Sequence, residues 1–265
     1  MFRFLQYAKP IDEIDFDKIK PKSKFLVNVP IDQTISNLTC FTPQTNVFAQ
    51  ALKSYGKLGE EALRQQIETY YTTQICENVA DIWSLNTEKL KGIHAMGVVL
   101  PWSDECSREN FARIAISNGA GRFLSREAAE LGLNPTDSYG WQFFGPASRS
   151  LIDLECNRLV SVYDSIKNKG YKPAIYGHIH GYILTDGCRR KVVVVGGKHR
   201  YAALIALGYS RIKVLIKSKI TPSVVSNQRI EQWPQYQNGT YSREDVLSIF
   251  ERQLNGVGNG DLSSL

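Results

Sequence analysis

VVVVGGKHRYAALIALGYSRIKVLI, residues 192–216, is the stretch on which the reading of this 265-residue chain turns. Four consecutive valines are apolar and β-branched, the pattern of a strand buried on both faces. Gly196 and Gly197 interrupt the run, and Tyr201-Ala202-Ala203-Leu204-Ile205-Ala206 follows as a helix that Gly208 ends. Ile212, Val214 and Ile216 then alternate as a closing strand. Glycines at such a turn permit positive φ and close backbone approach to a ligand. The first amides of the new helix lack acceptors, and the helix dipole favours an anion there. Lys198, His199 and Arg200 stand at that same end, where the dipole disfavours cations unless an anion neutralises them. Gly196, Gly197, Lys198, His199 and Arg200 therefore form the candidate phosphate-binding turn. The alternative is a plain strand–turn–helix with solvated basic side chains.

Upstream, residues Gly177 to Thr185 and Lys191 to Val195 read as strands joined through Asp186-Gly187, a hairpin signal. His178 and His180 stand two apart on the first of these strands and so share a side, a geometry open to metal, phosphate or ordinary packing. A helix runs from Ser148 to Lys169 and stops at Gly170. Its apolar stripe holds Leu151, Leu159, Val162 and Ile166, with Glu155 in the middle and Arg158 on the edge. A glutamate on an apolar stripe is rare unless paired. Glu155 is either the partner of Arg158 or a general base or metal-binding carboxylate facing the turn, with Asp153 as the second choice; as a base, its burial implies a raised pKa.

The first forty residues read as an extended arm or small β element, and helical period runs from Phe48 to Trp83. Residues 95–102 read as a short strand, and Ser107–Asn118 and Ser125–Leu131 as helices. Trp141, Phe143 and Phe144 lie in a glycine-rich link, Tyr139 to Pro146, and are candidates for the wall of an acceptor cleft; an ordinary domain interface is the alternative. Pro222 to Gly239 is a polar connection, and Ser242 with Asp245 opens a last helix as a near capping box. The expected organisation is α+β: residues 1–140 mainly helical, 141–220 a domain with a small mixed sheet, 221–254 a linker and helix, and 255–265 a disordered tail.

The composition, 43% hydrophobic and 22% charged, is that of a globular protein able to build a core without staples. A net charge of +6 suits anionic partners or simple solubility. The five cysteines, Cys40, Cys76, Cys106, Cys156 and Cys188, are irregularly spaced, which excludes a disulfide framework or zinc knuckle and leaves free thiols. Neither a signal peptide nor an apolar run of spanning length is visible, so a soluble, cytoplasmic protein is expected.

GGKHRYAALIALG resembles the signature of the ParB/sulfiredoxin superfamily, and the likeness covers residues 148–217 as helix, hairpin, turn, helix and strand. The layout GPAS…DLECNRL…SIKNKGY also resembles uncharacterised proteins of bacterial surface-polysaccharide gene clusters. The resemblance implies that the turn holds the phosphates of a nucleoside triphosphate or diphosphate, with Mg²⁺. Sulfiredoxins carry cysteine where this chain has Lys198, so sulfinic-acid repair is excluded for want of a thiolate. The free serine kinase branch implies a phosphotransferase acting on a hydroxyl of a small, sugar-like acceptor. Glu155 would be its base and His199 an acid or phosphate contact, with Arg158, His178, His180 and Trp141 as further cleft candidates. A nucleotide sensor without turnover is a second reading. A ParB-like DNA-binding protein is a third, supported by a possible helix-turn-helix start at Ser125 to Asn134. Against it, Pro135-Thr136-Asp137-Ser138-Tyr139-Gly140 stands where a recognition helix belongs.

Overall fold

The structure is a computed structural model that describes residues 8–20, 22–111, 141–217 and 220–257. Among them the chain forms a mixed α/β fold around one sheet. Its strands are β1 (Lys9–Pro10), β2 (Phe25–Pro30), β3 (Thr34–Ser36), β4 (Ile179–Thr185), β5 (Arg190–Gly196), β6 (Arg211–Ile216) and β7 (Val224–Ser226). The order is β1-β2-β6-β4-β5-β3, with β7 also on β4. The expected hairpin is present: β4 and β5 are antiparallel, with Tyr182 opposite Val193. Asp186 Oδ1 closes it by accepting the amides of Cys188 at 2.9 Å and Arg189 at 2.7 Å. The expected closing strand is β6, parallel to β4 and antiparallel to β2.

Both faces of the sheet are covered, which is why the valine run shows no polar alternation. On one face lie α1 (Val47–Leu58), α2 (Glu60–Thr73), α3 (Arg149–Lys169) and α4 (Lys198–Ala206), over Ile179, Ile183, Val192 and Val194. On the other, Tyr182, Leu184 and Val193 pack with Trp83, Trp102, Trp233 and Phe250, the last from α5 (Arg243–Asn255). α3 begins and ends where its sequence says: the Ser148 hydroxyl accepts the Leu151 amide, and Gly170 caps it at φ 74°. The Ser242–Asp245 capping box opens α5.

Several expectations need correction. Of the two readings of the first forty residues, the β element is the one that holds among those described, and it belongs to the main sheet. β2 pairs with β6 along six residues and β3 pairs with β5 along three, so both are part of the same sheet as the turn. Val27, Val29, Leu52, Ile67, Leu159 and Ala203 share one core, and a boundary at residue 140/141 does not divide it. Residues 95–102 form a 3₁₀ turn, Ala95–Gly97, followed by buried chain outside the sheet. Side chains take the place of a neighbouring strand there: Asn110 donates to the Met96 and Val98 carbonyls, and the Tyr241 hydroxyl to that of Val99. Residues 222–239 include β7 and the buried Trp233 and are not only a polar connection. Of Ser107–Asn118, residues 107–111 are helical and the remainder lies outside the described residues. Ser125–Leu131, the helix-turn-helix start at Ser125 to Asn134, and residues 258–265 of the tail lie outside them as well. None of the five cysteines is in a disulfide, and no helix among the described residues is long and apolar enough to cross a membrane.

A chain truncated before Thr39 loses the fully buried Val27, Val29 and Ile35 and bares the edges of both β5 and β6. It is expected to lose its cooperative thermal transition and to aggregate on size-exclusion chromatography. A monodisperse, cooperatively melting truncation would show that the later strands hold a sheet unaided.

Candidate functional site

Gly196 and Gly197 are both required, for different reasons. Gly197 caps α4 from the left-handed region at φ 82°, and a Cβ there would lie 3.3 Å from the Ile179 Cα. Gly196 makes room for a neighbour: a Cβ would sit 2.6 Å from Nδ1 of His180. The next three residues then begin α4, so Lys198, His199 and Arg200 occupy its first turn.

The chain itself supplies an anion to two of the three, Lys198 and His199. α3 crosses α4 and presents Glu155, fully buried, beneath the turn. Glu155 Oε2 lies 3.0 Å from Lys198 Nζ and 2.9 Å from His199 Nε2, and Oε1 lies 3.4 Å from an Arg158 guanidinium nitrogen. The two readings of Glu155 thus merge, since it pairs with Arg158 and also reaches the turn. Burial by itself would raise its pKa. The charges of Lys198 and His199, and the hydrogen bonds they make, outweigh burial and pull it down to about 2. The expected rise in the Glu155 pKa is therefore wrong in direction, and a carboxylate held low by its cationic partners is a weaker base.

Lys198 is fixed on every side. Its ammonium donates to the Gln142 carbonyl at 3.0 Å and lies 5.6 Å and 5.3 Å from the ring centres of Phe48 and Phe143. Burial lowers its pKa, with Glu155 opposing the shift. Arg200 donates to the Tyr176 carbonyl at 2.8 Å and to that of Gly177, tying the turn to the short helix Pro173–Tyr176. His199 alone joins two settings, because it bonds Glu155 and also lines an open cavity of about 330 Å³. Gly197 and Arg200 share that cavity, whose far wall is the C-terminal half of α3 and the segment after it: Ser161, Val162, Ser165, Tyr171, Lys172 and Tyr176.

These wall residues were missed in the sequence. The available signal was Ser161 and Ser165, one turn apart on a helix, followed by Lys169-Gly170-Tyr171-Lys172. Other candidates fall elsewhere. Trp141 is buried, packed 5.1 Å from Phe143 and 5.8 Å from Phe144 (ring centres), so it offers no face to a sugar ring. Asp153 pairs with Arg64 and Arg149, away from the turn. His178 and His180 are half-buried at the start of β4 and do not join the Glu155 cluster.

The side chains present do not fit a protein-held Mg²⁺. Glu155, the carboxylate at the turn, is paired with Lys198 and Arg158 and hydrogen-bonded to His199, and no cluster of three or more metal-ligating side chains exists among the described residues. No protein-family model matches the chain, and neither does any curated protein or solved structure.

Glu155→Gln removes the carboxylate that pairs with the buried Lys198 and is expected to destabilise the fold by about 3–5 kcal/mol. The pH dependence has a definite sign. A carboxyl lowered from 4.5 to about 2 on folding contributes stability above pH 4.5 that fades as pH falls toward 2. Thermal unfolding from pH 7 to pH 2.5 should show an acid limb in the wild type that is shallower in Glu155→Gln. Parallel curves would remove Glu155 as the source of that limb.

Proposed function

We propose that the protein is a nucleotide-dependent phosphotransferase that holds the donor phosphates at the N-terminus of α4, in the cavity beside it. His199, in place of Glu155, handles the proton. The observation that carries this reading is the double position of His199, 2.9 Å from a buried carboxylate and on the cavity wall. Glu155 accepts from Nε2–H, which fixes the tautomer and leaves Nδ1 as the basic nitrogen.

A hydroxyl of a small, sugar-like acceptor attacks the terminal phosphorus, and the bond to the departing nucleotide oxygen breaks. The hydroxyl proton passes to His199 Nδ1, and Glu155 stabilises the resulting imidazolium. Such a pair supplies general-base catalysis with the carboxylate in an orienting role. Arg200, Lys172 and the first-turn amides of α4 offset the phosphate charge, and Tyr171 and Tyr176 offer apolar faces to a base or sugar.

One observation favours a second reading, a nucleotide sensor without turnover. Lys198, His199 and Arg200 each already bond an acceptor within the chain, an arrangement stable without a substrate.

The two readings separate experimentally. ATP or ADP at a hundred times its Kd should stabilise the protein by about 2.7 kcal/mol, and Arg200→Ala should lose that effect. With hydroxyl acceptors present, His199→Gln should lower turnover by roughly 10²–10⁴-fold while nucleotide-induced stabilisation persists. Stabilisation without consumption would select the sensor. Absence of stabilisation by any nucleotide would overturn both.

A further inference from the structure

β4, β5 and β6 meet at one corner of the sheet, beside the Gly196–Gly197 turn. Their register brings together basic residues that the α4 cavity does not use. His180 pairs with Leu215 across the parallel β4–β6 ladder, so the two side chains share a face. Lys213, two residues before Leu215 on β6, shares that face; Lys217 follows β6, its amide bonded to the Gly181 carbonyl, and His178 directly precedes β4, within electrostatic reach of both lysines. Farther along β4 this face is the one that buries Tyr182 and Leu184 under the tryptophan cluster. At the corner the cover thins: Lys213 and Lys217 are exposed, the histidines are half-buried, and Val195, at the irregularity in the β4–β5 ladder, is 46% exposed.

We propose that this corner is a second anion-binding site, taking a small ligand that carries two or more phosphate groups. The half-buried His178 and His180 would donate hydrogen bonds, and the exposed Lys213 and Lys217 would supply counter-charge beside them. A metal is disfavoured by the two lysines. A small ligand fits better than a nucleic-acid strand, because the site has four basic groups, two of them half-buried.

The charge balance supports the assignment. Burial is the first cause lowering the pKa of each histidine. Nearby basic groups add to it: Arg200 of α4, Lys213 of β6 and Lys217 just after it act on His178, while Lys217, Arg200 and His178 act on His180. β5 contributes only Val195 and Gly196 here. Both rings are thus biased to the neutral form in the free protein, and a bound polyanion would restore their protons. Affinity should rise as pH falls, by up to about tenfold per pH unit for each proton taken up.

The site does not depend on the reading given to the α4 cavity, and the test keeps them apart. Inorganic tripolyphosphate would be titrated into the full chain by calorimetry, with the imidazole protons followed by NMR and assigned through His178→Gln, His180→Gln and His199→Gln. Binding should tighten from pH 7.5 to 6.0, and the midpoints of both His178 and His180 should move upward. Lys213→Gln/Lys217→Gln alters only exposed side chains and should weaken binding at least tenfold with an unchanged circular dichroism spectrum. His199→Gln should leave these effects in place. Unmoved midpoints at saturation, wild-type binding by the double lysine variant, or tighter binding of a single-stranded oligonucleotide than of tripolyphosphate would each overturn the proposal.

Discussion

The carboxylate of Glu155 is the charge on which the surroundings of the turn depend. It lies fully buried where α3 crosses α4, so it must be paired, and its partners come from the first turn of α4 and from Arg158 one helical turn along α3. The contact fixes the spacing of the two helices and the direction of His199. It also accounts for an apparent conflict with electrostatics, since consecutive cations stand at the positive end of a helix dipole. The carboxylate beneath Lys198 and His199 offsets part of that positive charge. Arg200, directed away to the carbonyls of Tyr176 and Gly177, holds the opposite wall of the cavity.

That cluster rests on a sheet whose central strands are apolar on both sides, and cover is needed on each. α1, α2, α3 and α4 provide it on one face, and the tryptophan cluster with α5 on the other. The ends of β4, β5 and β6 emerge from this cover together. Polar chemistry therefore collects at one corner, with His199 on one side of the glycine turn and His178 and His180 on the other.

Much of this was legible from residues alone, and the reasons are local. The β4–β5 hairpin, α3 with its Ser148 and Gly170 caps, the α4 turn and β6 are set by neighbouring residues. The position of Glu155 on an apolar stripe identified a buried carboxylate correctly. Its protonation behaviour was not readable, because burial and opposite charge act in opposing directions and only distances decide between them. Nor could the pairing of β2 with β6 be read, since it joins segments far apart in the chain. The strand expected over residues 95–102 failed for a related reason: an apolar run marks burial, and burial here is against tryptophans and outside the sheet. Trp141 was taken for a cleft residue on aromatic character, which a core shares.

The place of β2 in the sheet has a consequence for how the protein comes into being. Val27 pairs with Val214, so the strand's partner is translated 187 residues later. At ribosomal rates of about 5–20 residues per second, β2 waits roughly 10–40 s for its partner to be made. During that interval an apolar segment, Phe-Leu-Val-Asn-Val-Pro, is without its ladder. Folding of this sheet is therefore largely postponed until synthesis is nearly complete, and its high contact order makes the final search slow. The asparagine and the terminal proline in that segment temper its tendency to pair with the wrong chain in the meantime.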